Sequence, residues 1–176
     1  MHMTELADTI KDYGRDIRLN LSSVLSEEGA PGLSKQQIWG VALACAYYTK
    51  NEKLVGAIQS DAAAEALSPE YIEASKAAAT IMAMNNVYYR FLHLSDDKNF
   101  SKMPARLRMN VIAKPGIEKK DFELMSLAVS ALAGCGMCIN SHVNEVAKAG
   151  ISSEGSQSAV RIASVINAAA QALSIN

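Results

Sequence analysis

Two cysteines three positions apart and a histidine four further on stand together in the stretch Gly134-Cys135-Gly136-Met137-Cys138-Ile139-Asn140-Ser141-His142. Cysteine does chemistry as the thiolate, and a second thiol within reach lets an oxidised sulfur be reset by closing a disulfide. Cys135 and Cys138 therefore suit a dithiol/disulfide cycle. His142 lies one helical turn beyond Cys138, where an imidazole can take the thiol proton. Glu123 lies upstream, with eleven residues between it and Cys135. At 1.5 Å per helical residue, Glu123 is roughly 16 Å before the turn at Gly134 and His142 about 12 Å beyond it. If the two segments form an antiparallel hairpin, the carboxylate approaches the imidazole and can orient it.

The same residues admit another use. Zinc in a structural site takes four ligands. Cys135, Cys138 and His142 supply three and Glu123 a fourth, although the chain has no second cysteine pair. The third cysteine, Cys45, sits among Ala42, Leu43 and Ala44 and reads as core packing. An odd cysteine count is a poor disulfide framework, so the pair is expected to be catalytic or metal-binding in a reducing compartment. His93 has no partner that the sequence assigns. Lys98, Lys102, Arg106 and Arg108 form a basic run, read as a solvated face.

The elements that must hold these residues read as helices. Prolines number four, helix formers are plentiful, and no segment alternates long enough for a strand. A first helix is predicted over residues 4–24, with Leu6, Ile10, Tyr13, Ile17 and Leu21 on one stripe. Gly29-Ala30-Pro31-Gly32 breaks the chain. Ser34 opens the next helix with Gln37 placed to complete a capping box, and Ser68-Pro69 opens a later one. Residues 95–116 read as a long irregular connector.

The chain also resembles itself. A shift of 84 positions sets Cys135 over Asn51 and aligns the flanking residues without a gap across about fifty positions. Leu33-Ser34-Lys35 falls over Ile117-Glu118-Lys119, Leu43-Ala44 over Leu127-Ala128, and Ser68 over Ser152. Ala79-Thr80-Ile81 falls over Ala163-Ser164-Val165. The reading is one domain with a first repeat at about 33–92 and a second at about 117–176. Asn favours the N-cap, so Cys135 is expected at a helix N-terminus, where the dipole and free N–H groups favour a thiolate. Glu123, Cys138 and His142 fall over Trp39, Leu54 and Ile58, so the first repeat reads as scaffold and the second as chemistry.

The remaining bounds are general. With 176 residues, 49% of them apolar and 20% charged, the composition is that of a globular protein with a sizeable core. A net charge of −1 gives no reason to expect nucleic acid or an anionic membrane as partner. The absence of an apolar leader makes a cytoplasmic location the expectation.

At Glu123, Cys135-x-x-Cys138 and His142 the sequence resembles the AhpD family, the alkyl hydroperoxidase D proteins, within the wider carboxymuconolactone decarboxylase-like fold. The resemblance extends to residues 16–23, 84–90 and 107–113. It implies an all-α AhpD-like fold of two related halves, assembled as a homotrimer. It implies reduction of hydroperoxides and regeneration of the peroxiredoxin AhpC. Electrons would come from a dihydrolipoyl group on a 2-oxoacid dehydrogenase component, with no cofactor bound. By position, Cys138 would be the peroxidatic cysteine and Cys135 the proton donor and resolving cysteine. Glu123 and His142 would form a proton relay. Met137 departs from the family's best-known member, which has histidine there. The alternatives are a zinc-binding or structural helical protein, and a non-redox decarboxylase-type enzyme, whose chemistry has no need of the cysteine pair.

Overall fold

In the computed structural model, which describes residues 1–175, helices account for the regular structure and no strand occurs among the described residues. In chain order they are α1 (Met3–Asp8), α2 (Arg15–Val24), α3 (Lys35–Thr49), α4 (Glu52–Ala64), α5 (Pro69–Leu94), α6 (Asn110–Ala113), α7 (Lys119–Ala133), α8 (Gly136–Lys148) and α9 (Ser153–Ser174). The fold is all-α. Single 3₁₀ turns at Asp12–Gly14 and Phe100–Lys102 complete the set.

Two helices form the centre. Every residue of α3 from Ile38 to Ala46 is buried, and so is every residue of α7 from Asp121 to Ser130. A helix buried all round has no solvent face to carry charge, which is why α3 reads Ile38-Trp39-Gly40-Val41-Ala42-Leu43-Ala44-Cys45-Ala46. The two pack on each other, and each also packs against both long helices, α5 and α9. Where α7 carries polar groups into this core, they have partners. Asp121 accepts from Gln37 Nε2 at 2.7 Å and from the Tyr71 hydroxyl. Burial and the neighbouring carboxylate push the Tyr71 phenol well above its ordinary value.

Punctuation follows local chemistry. Ser34 and Gln37 form a reciprocal capping box at the start of α3. Pro69 stands in the first turn of α5 behind Ser68. The shift of 84 positions carries Lys35–Thr49 onto Lys119–Ala133 and Glu52–Ala64 onto Gly136–Lys148, bound for bound. The turns correspond as well. Lys50 and Gly134 are both left-handed C-caps, and Asn51 and Cys135 both cap the next helix through a side chain accepting from the third residue on.

The predicted first helix is interrupted. Its stripe is continuous in sequence, but the chain leaves the helix after Asp8 and re-enters at Arg15. Side chains take over backbone groups at the break. Thr9 Oγ1 donates to Leu6 O, and the Arg18 guanidinium donates to Ile10 O. Gly14 allows the Ile10 side chain to lie against it, where a Cβ would collide. Leu6, Ile10 and Leu21 are buried as the stripe predicts. Tyr13 is not: it is 56% exposed and its hydroxyl donates to Ala172 O at 2.9 Å. Residues 95–116 run irregularly apart from the 3₁₀ turn and α6. Lys98, Lys102, Arg106 and Arg108 on this connector are exposed.

Candidate active site

Helices α7 and α8 form an antiparallel hairpin closed by Gly134, whose φ of 69° lies in the left-handed region that suits glycine. Arg90 of α5 reaches this turn and donates from Nη1 to Ala133 O at 2.8 Å. That contact satisfies an orphan carbonyl at the end of α7 and sets a cation against the negative end of its dipole. The hairpin puts Glu123 beside His142, with Nδ1 and Oε2 2.6 Å apart and both side chains buried. A carboxylate can only accept, so Nδ1 carries the proton and the lone pair of a neutral ring lies on Nε2.

Cys135 is the N-cap of α8, and its sulfur accepts from the Cys138 backbone N–H at 3.2 Å. The sulfurs of Cys135 and Cys138 are joined as a disulfide. Their surroundings differ. Cys135 is fully enclosed, whereas Cys138 is 6% exposed and opens into a cavity of about 370 Å³. Among the described residues, no group of three or more His, Cys, Asp and Glu side chains is arranged to hold a metal ion. Cys45 is buried in α3, and desolvation pushes its thiol well above the usual range.

The cavity at Cys138 is built from four elements. Helix α8 contributes Met137, Cys138, Ser141, His142 and Glu145, and α7 contributes Glu123. Helix α5 contributes Met82, Asn85 and Tyr89, which share one face at intervals of three and four. The connector contributes Met109 and Ile112, and the Tyr89 hydroxyl bonds the Met109 sulfur. The walls are thus largely apolar, with the Cys138 sulfur, the His142 imidazole and the Glu123 and Glu145 carboxylates added by α7 and α8. At the rim, Lys148 pairs with Glu145 and holds its carboxyl below the ordinary value.

Of the four predicted site residues, Glu123, Cys138 and His142 line this cavity, and Cys135 is bonded to Cys138 outside its lining. Three features were not read from sequence. The connector forms a wall of the cavity. His93 lies beside Gly136, its Nε2 3.9 Å from where a Cβ on that glycine would stand. Asn85 is buried in the cavity wall, and its Oδ1 has no hydrogen-bond partner among the described residues. An unmade hydrogen bond on a buried polar group costs about 1–3 kcal/mol. The available signal was the pair Asn85-Asn86 in mid-helix, where asparagine is a poor helix former.

Comparison with known proteins agrees in extent with this architecture. Residues 98–175, which hold most of the connector together with α7, α8 and α9, match the carboxymuconolactone decarboxylase family. Nearly the whole chain is similar to proteins named alkyl hydroperoxide reductase AhpD. Identity is 56% over 164 residues with that of Coxiella burnetii strain RSA 493 / Nine Mile phase I, covering 93% of this chain and 92% of the relative. It is 51% over 170 residues with that of Rhodopseudomonas palustris strain BisA53, covering 97% and 92%. It is 50% over 173 residues with that of Brucella melitensis biotype 1, covering 98% and 97%.

Proposed function

The chain belongs to the AhpD family of alkyl hydroperoxide reductases, and from that membership we propose a dithiol cycle in which Cys138 reduces an alkyl hydroperoxide and Cys135 resolves the product. The observation that carries the assignment of roles is the asymmetry of the pair. Cys138 opens into the cavity that also holds His142 and Glu123, while Cys135 is enclosed behind it. A substrate in the cavity meets Cys138 first.

In the reduced enzyme His142 takes the Cys138 proton, and Glu123 stabilises the imidazolium. The thiolate attacks the terminal peroxide oxygen. The S–O bond forms, the O–O bond breaks, and the departing alkoxide takes the proton from His142 and leaves as an alcohol. Cys138 is then a sulfenic acid. The Cys135 sulfur, released as thiolate, attacks it. The S–S bond forms, and hydroxide leaves with the Cys135 proton as water. Two electrons have passed from the dithiol to the peroxide, and the enzyme is in the disulfide form. A dithiol donor closes the cycle by exchange through a mixed disulfide.

The donor in this reading is a dihydrolipoyl group on a 2-oxoacid dehydrogenase component, and the second oxidant is the disulfide of the peroxiredoxin AhpC. Both follow from the family resemblance at Glu123, Cys135, Cys138 and His142, as does a homotrimeric assembly, and a cytoplasmic location is proposed alongside them. No described helix is long and apolar enough to cross a membrane. The two halves are proposed to be copies of one helical unit, supported by the shared bounds of α3 with α7 and α4 with α8. The test is peroxide consumption with dihydrolipoamide as reductant, with and without AhpC. Turnover that Cys138→Ser abolishes is expected. Turnover that survives the substitution contradicts the assignment, and a monomer in sedimentation equilibrium contradicts the trimer.

A further inference from the structure

Asn85 and Asn86 are consecutive, buried and in the middle of α5, yet they face different spaces. Asn86 lines a separate cavity with Arg90, Phe91 and Leu94. Asn85 lines the cavity at Cys138, between Met82 and Tyr89 on the same face. It is 5% exposed, and its Oδ1 has no hydrogen-bond partner among the described residues. The other buried polar groups around that cavity, His142 and Glu123, bond each other. Asn85 is left as a polar group with hydrogen-bonding capacity to spare, between the apolar side chains of Met82 and Tyr89 in a cavity that Cys138 also lines.

We propose that the Asn85 carboxamide binds the hydroperoxyl group of the substrate, and that the apolar wall of Met82, Tyr89, Met109 and Ile112 takes its organic portion. This rests on the peroxidase reading above and names the group that recognises the substrate. The chemistry fits in both directions. A hydroperoxide offers one O–H donor and acceptor lone pairs on both oxygens. A carboxamide offers an accepting oxygen and two N–H donors. Being neutral, it holds the peroxide without repelling the thiolate that attacks or the alkoxide that leaves, as a carboxylate there would. The O–O bond is broken by Cys138, and no proton or electron passes through Asn85. It is a positioning residue. Since the hydroperoxyl group is common to hydrogen peroxide and organic hydroperoxides, Asn85 serves both, whereas the apolar wall serves only the latter.

The experiment compares two rates in wild type, Asn85→Leu and Asn85→Ala. One is oxidation of the pre-reduced dithiol by cumene hydroperoxide and by hydrogen peroxide. The other is alkylation of Cys138 by iodoacetamide across pH, which reads the thiolate without a peroxide. Leucine keeps the approximate volume and alanine leaves the cavity open, so a shared loss is not steric. Oxidation by both peroxides should slow about 10- to 100-fold in each variant, the loss of one or two strong hydrogen bonds, while the alkylation profiles superimpose on wild type. Wild-type oxidation rates in either variant overturn the proposal. So does an equal fall in alkylation, which would mean that Asn85 acts on the thiol. A wild-type dithiol that neither peroxide oxidises is a different failure, that of the peroxidase reading itself.

Discussion

Replacing Glu123 by glutamine removes one charge from a buried pair and leaves an amide oxygen that still accepts from His142 Nδ1. The shape of the site is kept, and what is lost is stabilisation of the imidazolium formed when His142 takes the Cys138 proton. The Nδ1···Oε2 distance is 2.6 Å, and the two charge centres are roughly 4 Å apart. At an effective dielectric constant of about 20 that interaction is about 4 kcal/mol, about three powers of ten at 1.4 kcal/mol each. Desolvation of the pair takes back part of it, and a thiol returned to the ordinary value of about 8.5 is still about 3% thiolate at pH 7, so a fall of about 10- to 30-fold in Cys138 alkylation at neutral pH is expected. The sign with pH follows. Without the carboxylate the thiol gives up its proton at higher pH. The deficit is therefore largest on the acid side and closes as pH passes the ordinary thiol value of about 8.5. The assay is the alkylation rate of Cys138 against pH in wild type, Glu123→Gln and His142→Phe. His142→Phe also strands Glu123 as a buried carboxylate without its partner, at a cost of about 3–5 kcal/mol in stability. Superimposable profiles in all three proteins would refute the relay and leave the N-terminus of α8 as the sole activating feature.

Other outcomes follow from burial and backbone. Leu54 is fully buried in α4 and falls under Cys138 in the other half. Leu54→Ala should lose about 2–5 kcal/mol in denaturant unfolding, whereas Cys138→Ser should lose little stability and all turnover. Cys45 should remain unmodified in the native protein at about pH 8.5, where ordinary thiols react, because burial raises its pKa; thiol counting by mass should find only Cys135 and Cys138 labelled after reduction. Gly134→Ala places a side chain at φ 69° with no atom within 4 Å of its Cβ. Its cost is therefore the backbone term alone, about 1–2 kcal/mol by thermal or chemical denaturation. The counterpart Lys50 at φ 60° shows that the fold accommodates a non-glycine residue in such a turn.

The parts of this molecule legible in sequence are those fixed by local rules. Ser34 with Gln37, Ser68 with Pro69, and Gly134 before Cys135 mark helix ends because the unpaired N–H and C=O groups there need particular side chains or a left-handed residue. The meeting of Glu123 and His142 follows from helical rise and one tight turn. The shift of 84 positions carried the N-cap role from Asn51 to Cys135. What was not legible depends on contacts distant in sequence. The break after Asp8 is stabilised by Thr9 and Arg18 taking backbone carbonyls, which no apolar stripe records. The cavity wall joins α5 to the connector through Tyr89 and Met109, and nothing periodic announces such a pairing. Asn85 is an unfavourable residue in a helix interior, and its meaning emerges only when α8 is seen across from it. Consistency between local preference and global fold fails here at the site, where such failures are expected.

The proposed cycle passes two electrons from Cys138 and Cys135 to an alkyl hydroperoxide. Its most direct test is a titration of the pre-reduced protein with cumene hydroperoxide in the absence of any donor. Cumyl alcohol and the Cys135–Cys138 disulfide should be quantified together by chromatography and mass spectrometry. One alcohol formed for each disulfide closed, with Cys45 still a free thiol, is the predicted result. Peroxide left unconsumed by the reduced dithiol, or consumed with Cys135 and Cys138 still reduced, would contradict it.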